Sequence, residues 1–150
     1  MNNARGFSLL ELLIVVAIIL IIATIAIPNI LRTHQAANEA AAVTTLKTIN
    51  TVQVSYLSSG GGKFGTLPDL VAAGLLDARF SGASVSGYMF AVAASGADYT
   101  ATATPASANS GRFAYFSLPD AVVRYSTATS GCGGPGGVCF PTGVSGEPVQ

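Results

Sequence analysis

The sequence predicts an α+β protein: one long N-terminal α-helix, hydrophobic in its first half and amphipathic in its second, packed on a small four-stranded antiparallel β-sheet. Three observations carry this. From Phe7 to Ile27 only Ser8, Glu11 and Thr24 interrupt an apolar run. From Asn29 to Tyr56 there is no glycine or proline, and Ala42, Leu46, Ile49, Val52 or Gln53 and Tyr56 recur at intervals of three and four, which places them on one helical face. From Gly87 to Ser126, four short runs of aromatic, β-branched and alanine residues are divided by turn residues.

The first half of the helix is long enough to cross a membrane, since at about 1.5 Å per residue a helix over Phe7–Ile27 spans the ~30 Å hydrocarbon core. Glu11 is the anomaly, because a carboxylate at that depth costs about 2.5–3.5 kcal/mol and marks a functional position. A secretory signal peptide wants an uninterrupted apolar run and a small-x-small cleavage site, whereas here the charge opens the run and Ala-Ile-Pro closes it. A plain transmembrane anchor explains neither Glu11 nor the short leader.

Arg5-Gly6-Phe7-Ser8-Leu9-Leu10-Glu11, followed by the apolar run, resembles the class III signal of the type IV pilin family, which includes the type II secretion pseudopilins. The resemblance implies a pilin fold and a membrane peptidase that cuts the Gly6/Phe7 bond and methylates the new amino terminus on Phe7. Residues 1–6 are then a leader, the family's assembly glutamate falls on Glu11, and its helix-bending proline on Pro28. Proline removes a backbone donor, so a kink or local unwinding is expected around Ala23–Pro28.

Beyond Pro28, Arg32, Gln35, Glu39, Lys47 and Asn50 supply the polar remainder of the amphipathic face. Ser58-Ser59-Gly60-Gly61-Gly62 ends the helix. Thr66-Leu67-Pro68-Asp69-Leu70 starts a short helical segment to about Ala73, closed by Gly74, with Leu75 and Leu76 packing inward. The strands are expected at Gly87–Ala93, Asp98–Thr104, Arg112–Leu118 and Ala121–Ser126, the first pair joined at Ser95-Gly96-Ala97 and the second around Pro119-Asp120. Tyr88, Phe90 and Val92 share one face of the first strand, and Tyr99, Ala101 and Ala103 one face of the second. The run from Ser86 to Tyr125 is similar to the sheet of major pseudopilins and related pilins.

Function classes narrow by elimination. Net charge is zero and only 9% of residues are charged, so no basic footprint for nucleic acid exists. Seven acids, one histidine and two cysteines are spread over separate elements, which gives no catalytic residue. His34 lies on a polar helix face, Gly82-Ala83-Ser84-Val85-Ser86 lacks the closing glycine of a nucleophile elbow, and Gly60-Gly61-Gly62-Lys63 fails the spacing of a phosphate loop. Asp98, Asp120 and Glu147 are too few for a calcium site like those of major pseudopilins, and no cofactor or metal is expected. Cys132 and Cys139 enclose Pro135 and four glycines. With His34 far away they do not make a zinc site; a disulfide suits a segment able to fold back outside the cytoplasm, and two free thiols are the alternative. The pair also resembles the C-terminal disulfide loop of type IV pilins, although it is short for one.

The domain expectation is a leader at 1–6, a transmembrane and filament-core helix at 7–28, an amphipathic half at 29–57, a globular head at 58–130 and a Gly/Pro-rich loop and tail at 131–150. The resemblance implies a structural subunit, not an enzyme, that polymerises with itself into a helical filament. Its other partners are the prepilin peptidase, an inner-membrane assembly platform with its ATPase, and the membrane that holds it before assembly. Its location is single-pass in the inner membrane and then the cell-surface pilus. The alternatives are a major pseudopilin of a type II secretion system and, outside the family, a membrane-anchored extracellular binding domain.

Overall fold

The structure is a computed structural model that describes residues 7–59, 62–82, 84–127 and 147–149. Gly6, Cys132 and Cys139, and with them one side of the expected cleavage site and the expected disulfide, lie outside the described residues. The chain divides into two units, Met1–His34 and Gln35–Gln150.

Helix α1, Leu9–Ser59, contributes to both units. In the first unit its apolar side chains stand exposed, with Ile21 at 65% and Ile25 at 67% of full accessibility, and this part of α1 is long and apolar enough to cross a membrane. A kink or local unwinding is expected around Ala23–Pro28; α1 stays helical without a break through Pro28. Neighbouring side chains bond the backbone here. Thr24 Oγ donates to the Ile21 carbonyl at 2.7 Å and Asn29 Nδ2 to the Ile25 carbonyl at 3.2 Å.

In the second unit α1 buries Glu39, Ala42, Leu46, Ile49, Asn50 and Gln53. The apolar members are those expected from the spacing. Glu39 and Asn50, expected in the polar remainder, are a correction: both are buried, for reasons given below.

Helix α2, Leu67–Ala72, starts where Asp69 accepts bonds from the Thr66 N–H at 2.8 Å and the Thr66 hydroxyl at 2.6 Å. It stops in a Schellman arrangement: Gly74, at φ +69°, donates to the Val71 carbonyl and Leu75 to the Leu70 carbonyl. A 3₁₀ turn, Ala78–Ser81, which the sequence did not announce, follows and sets Phe80 edge-on to Phe90, ring centres 5.8 Å apart.

The sheet is an antiparallel meander of β1 (Tyr88–Ser95), β2 (Asp98–Pro105), β3 (Phe113–Ser117), β4 (Val123–Thr127) and β5 (Glu147–Pro148), hydrogen-bonded in that order. The first four are the expected strands. The two-residue β5 is an addition, pairing Pro148 with Arg124 and Glu147 with Tyr125. β1 and β2 pair from Tyr88↔Pro105 to Ser95↔Asp98 around Gly96-Ala97. At the start of β1, Ser86 and Gly87 both have positive φ, and Val85 and Tyr88 exchange backbone bonds at 2.8 and 3.0 Å, the geometry of a tight two-residue turn.

Tyr99, Ala101 and Ala103 on β2 share the face that period-two alternation assigns them and are all buried with Ala42, Leu46 and Ile49 of α1 in one core. The rest of that core includes Leu67, Leu70, Leu76, Phe80, Tyr88, Tyr115 and Val123. Alanines at Ala101 and Ala103 keep this part of the sheet thin.

Candidate functional site

Two groups of polar side chains stand out, one in each unit, and each is built by the local chain. At the beginning of α1, Ser8 precedes the first helical residue and spends all its polar groups on the first turn. Its carbonyl accepts the Leu12 N–H at 3.2 Å, its hydroxyl accepts the Leu10 N–H at 3.3 Å, and its own N–H donates to Glu11 Oε2 at 3.1 Å. Ser8-x-x-Glu11 is therefore a variant of the capping box, the serine hydroxyl taking the Leu10 N–H in place of that of Glu11, with the carboxylate folded back toward the helix start, one peptide unit from the nitrogen of Phe7. A negative group also suits this end of the helix dipole. Glu11 is the sole charged residue from Phe7 to Leu31, and Phe7 itself is 80% exposed.

The second group pins α1 to the sheet within the second unit. Glu39 Oε1 accepts both the backbone N–H of Arg112, at 2.8 Å, and its Nε, at 3.1 Å, while Oε2 accepts Nη2 at 2.9 Å. Burial pushes the Glu39 carboxyl up, but the side-chain bonds, backbone bond and charge of Arg112 together hold it below its ordinary value. The guanidinium also lies over the Phe113 ring, 5.2 Å from its centroid. Beside it, Asn38 donates to the Ser110 carbonyl at 3.0 Å and, one turn back, Gln35 donates to the Ala108 carbonyl at 3.3 Å. Farther along, Asn50 donates to Ser117 Oγ at 2.8 Å and to the Ala121 carbonyl at 3.3 Å, and accepts from the Tyr99 hydroxyl at 3.0 Å. Gln53 closes a two-point clamp on Gly65, donating to its carbonyl at 2.6 Å and accepting its N–H at 3.1 Å.

These groups hold parts of the chain together. Burial first, and then neighbouring negative charge, pushes the Tyr99 and Tyr115 hydroxyls up to about 12, and Tyr88 is pushed higher still, chiefly by burial. All three stay protonated near neutral pH, and Tyr88 donates to the Phe113 carbonyl at 2.8 Å. Among the described residues no three His, Cys, Asp or Glu side chains come together to hold a metal, and His34 stands exposed on α1. A surface hollow of about 440 Å³ between Lys47, Asn50, Thr51, Val54, Ser55 and Ala121 contains one titratable side chain, Lys47.

Comparison with known proteins bears on the first group and on the chain as a whole. The family profile described as the prokaryotic N-terminal methylation motif matches residues 1–27, which include Gly6, Phe7, Ser8 and Glu11. The type IV major pilin protein PilA of Myxococcus xanthus is 50% identical over 54 residues, 36% of this chain and 24% of that protein, so the match spans about a quarter of the relative's length. The type IV wide pilus major component PilA4 of Thermus thermophilus is 34% identical over 111 residues, 70% of this chain and 85% of that protein. This chain belongs to the type IV pilin family. The Thermus match is longer than the 51 residues of α1, so the likeness of this pilin to its relatives takes in more than the helix. No solved structure matches the chain.

Of the expected site residues, the structure places Phe7 just before α1, Glu11 in the exposed first turn and Pro28 inside the helix. Sequence reasoning missed Ser8, although the Ser-x-x-Glu spacing was readable. It also missed the sheet pins of this pilin. Glu39, Ala42, Leu46, Ile49 and Gln53 follow one another at three and four residues, so the stripe itself included both polar residues.

Proposed function

We propose that the chain is the structural subunit of a type IV pilus, cut after Gly6, methylated on the amine of Phe7 and polymerised with other copies of itself. The observation that carries this reading is a single carboxylate, Glu11, in the first turn of an exposed apolar helix, within a chain of the pilin family. Hydrolysis of the Gly6/Phe7 bond creates a positive amine near that carboxylate. An incoming subunit's amine meets Glu11 of a subunit already in the filament, or the reverse, and neither charge then remains unpaired in apolar surroundings. Such a pair fixes the axial register of helices whose smooth apolar surfaces otherwise slide.

In this reading 7–28 is membrane-inserted before assembly and becomes filament core, 29–57 joins the head at 58–130, and 131–150 is a tail. The peptidase, the inner-membrane platform and its ATPase act on the subunit from outside, and the chain itself is not an enzyme. The exposed apolar half of α1 supports membrane anchoring first and a surface filament second.

The test is a strain whose only subunit is Glu11→Ala. It should insert and be cleaved but yield no filaments in electron microscopy of sheared surface material, whereas Leu10→Ile should assemble. Normal filament yield from Glu11→Ala would sink the mechanism. Gly6→Val should leave an uncut precursor, because the peptidase must approach the backbone closely; a mature amino terminus at Phe7 in that variant, found by mass spectrometry, would refute the cleavage position.

A further inference from the structure

We infer that Ser8 is a positioning residue for Glu11: its capping box holds the carboxylate at the helix start, ready for the amine of a second copy of this chain. The inference rests on the reading of Glu11 as the assembly carboxylate and adds a residue to it. Two independent observations meet here. One is a lone carboxylate at membrane depth, where an ionised group is costly and calls for a partner. The other is the reciprocal pair of bonds, Ser8 N–H to Glu11 Oε2 at 3.1 Å and Leu10 N–H to Ser8 Oγ at 3.3 Å.

In water the first turn of a helix can lose such a cap and hydrate its free N–H groups. Hydrocarbon offers no substitute, so an uncapped Leu10 N–H is left without a partner and the turn frays. Fraying releases Glu11 from the Ser8 N–H and lets the carboxylate seek the headgroup layer, away from the position at which a neighbouring amine arrives. Before assembly the capping box therefore gives Glu11 a partner within its own chain. On assembly the carboxylate keeps its place and gains the stronger, charged partner. Ser8 touches neither the neighbouring amine nor the scissile bond in this account; it acts through Glu11.

The experiment compares full-length wild type, Ser8→Ala, Ser8→Thr and Glu11→Ala. Amide exchange at Leu10 is read by nuclear magnetic resonance on the uncut chain in detergent micelles, and filament yield per cleaved subunit is read in cells. Ser8→Ala should speed Leu10 exchange and lower the yield per cleaved subunit, each by roughly 2- to 30-fold, the range set by loss of an N-cap serine. Ser8→Thr, which keeps the hydroxyl, should restore both. Unchanged Leu10 exchange in Ser8→Ala overturns the inference, as does an unchanged yield per cleaved subunit, or a threonine variant that rescues neither. If Ser8→Ala is normal while Glu11→Ala makes no filament, only the role of Ser8 fails. If Glu11→Ala assembles normally, the assembly reading fails first and the inference with it.

Discussion

Replacing Gln53 with methionine isolates the clamp between α1 and the segment that leads into α2. Gln53 is fully buried, and its amide satisfies both backbone groups of Gly65. Methionine keeps an unbranched chain of similar length but leaves a buried N–H and a buried C=O unpaired, at about 1–3 kcal/mol each. The gain from a more apolar side chain offsets about 1–2 kcal/mol of that. Taking the middle of each range, the net loss is about 2.5 kcal/mol, or on the order of 10–20 °C in Tm for a unit of this size. Gly65 cannot easily turn toward water instead, because a Cβ placed there would lie 2.8 Å from Cε1 of the Tyr56 ring, which already packs against it. Thermal unfolding of the full chain in micelles, followed by near-ultraviolet circular dichroism of the buried tyrosines, measures the effect. Gln53→Glu sharpens it: the carboxyl can donate to the Gly65 carbonyl only when protonated, and burial raises its folded pKa, so this variant should be most stable in acid and weaken as pH rises. A Gln53→Met midpoint within about 3 °C of wild type would refute the clamp.

Three further outcomes are expected. The Arg112 bonds hold Glu39 below its ordinary value of 4.5, so its contribution is present above that value and is lost as pH falls through the lower folded value; Glu39→Gln should flatten the acid limb of the stability curve below about pH 4.5, leaving the part due to Asp120 and its Arg124 partner. An equally steep limb in the variant would contradict this. Gly111→Ala should destabilise by roughly 1–3 kcal/mol because its Cβ collides with the Tyr88 hydroxyl and ring, and Tyr88→Phe should recover part of the loss in a double-mutant cycle; strict additivity would show that the two sites do not interact. Cys132 and Cys139 of exported protein should resist alkylation until reduced, and their removal should spare the circular dichroism of helix and sheet, since the loop they close is short.

Much of this fold was readable because its signals are periodic. A stretch of α1 without glycine or proline, and the alternation at Tyr99, Ala101 and Ala103, each report a backbone geometry directly. The polar pins were harder to read. Glu39, Asn50 and Gln53 have partners tens of residues away, at Arg112, Ser117 and Tyr99, or behind a loop at Gly65, and polarity alone assigns such residues to solvent. At Pro28 the lost donor argued for a kink or unwinding, and α1 stays helical through it. β5 has two residues, too few for any alternation to show. At the N-terminus, Glu11 stands out by its cost in hydrocarbon, whereas the bonds of Ser8 to the first turn were overlooked because a serine before a helix looks ordinary.

The margins of the sheet bear on crowding. In the proposed filament the heads would stand at very high local concentration, and any open strand edge would then face many identical edges at once. Val85 takes the first outward bonds of β1 at Tyr88, and on the other side β5 lies along β4 and ends in Pro148, which has no N–H to offer an incoming strand. Trimming β5 should therefore show little in dilute monomer and much in concentrated protein, as sheets of separate heads begin to merge.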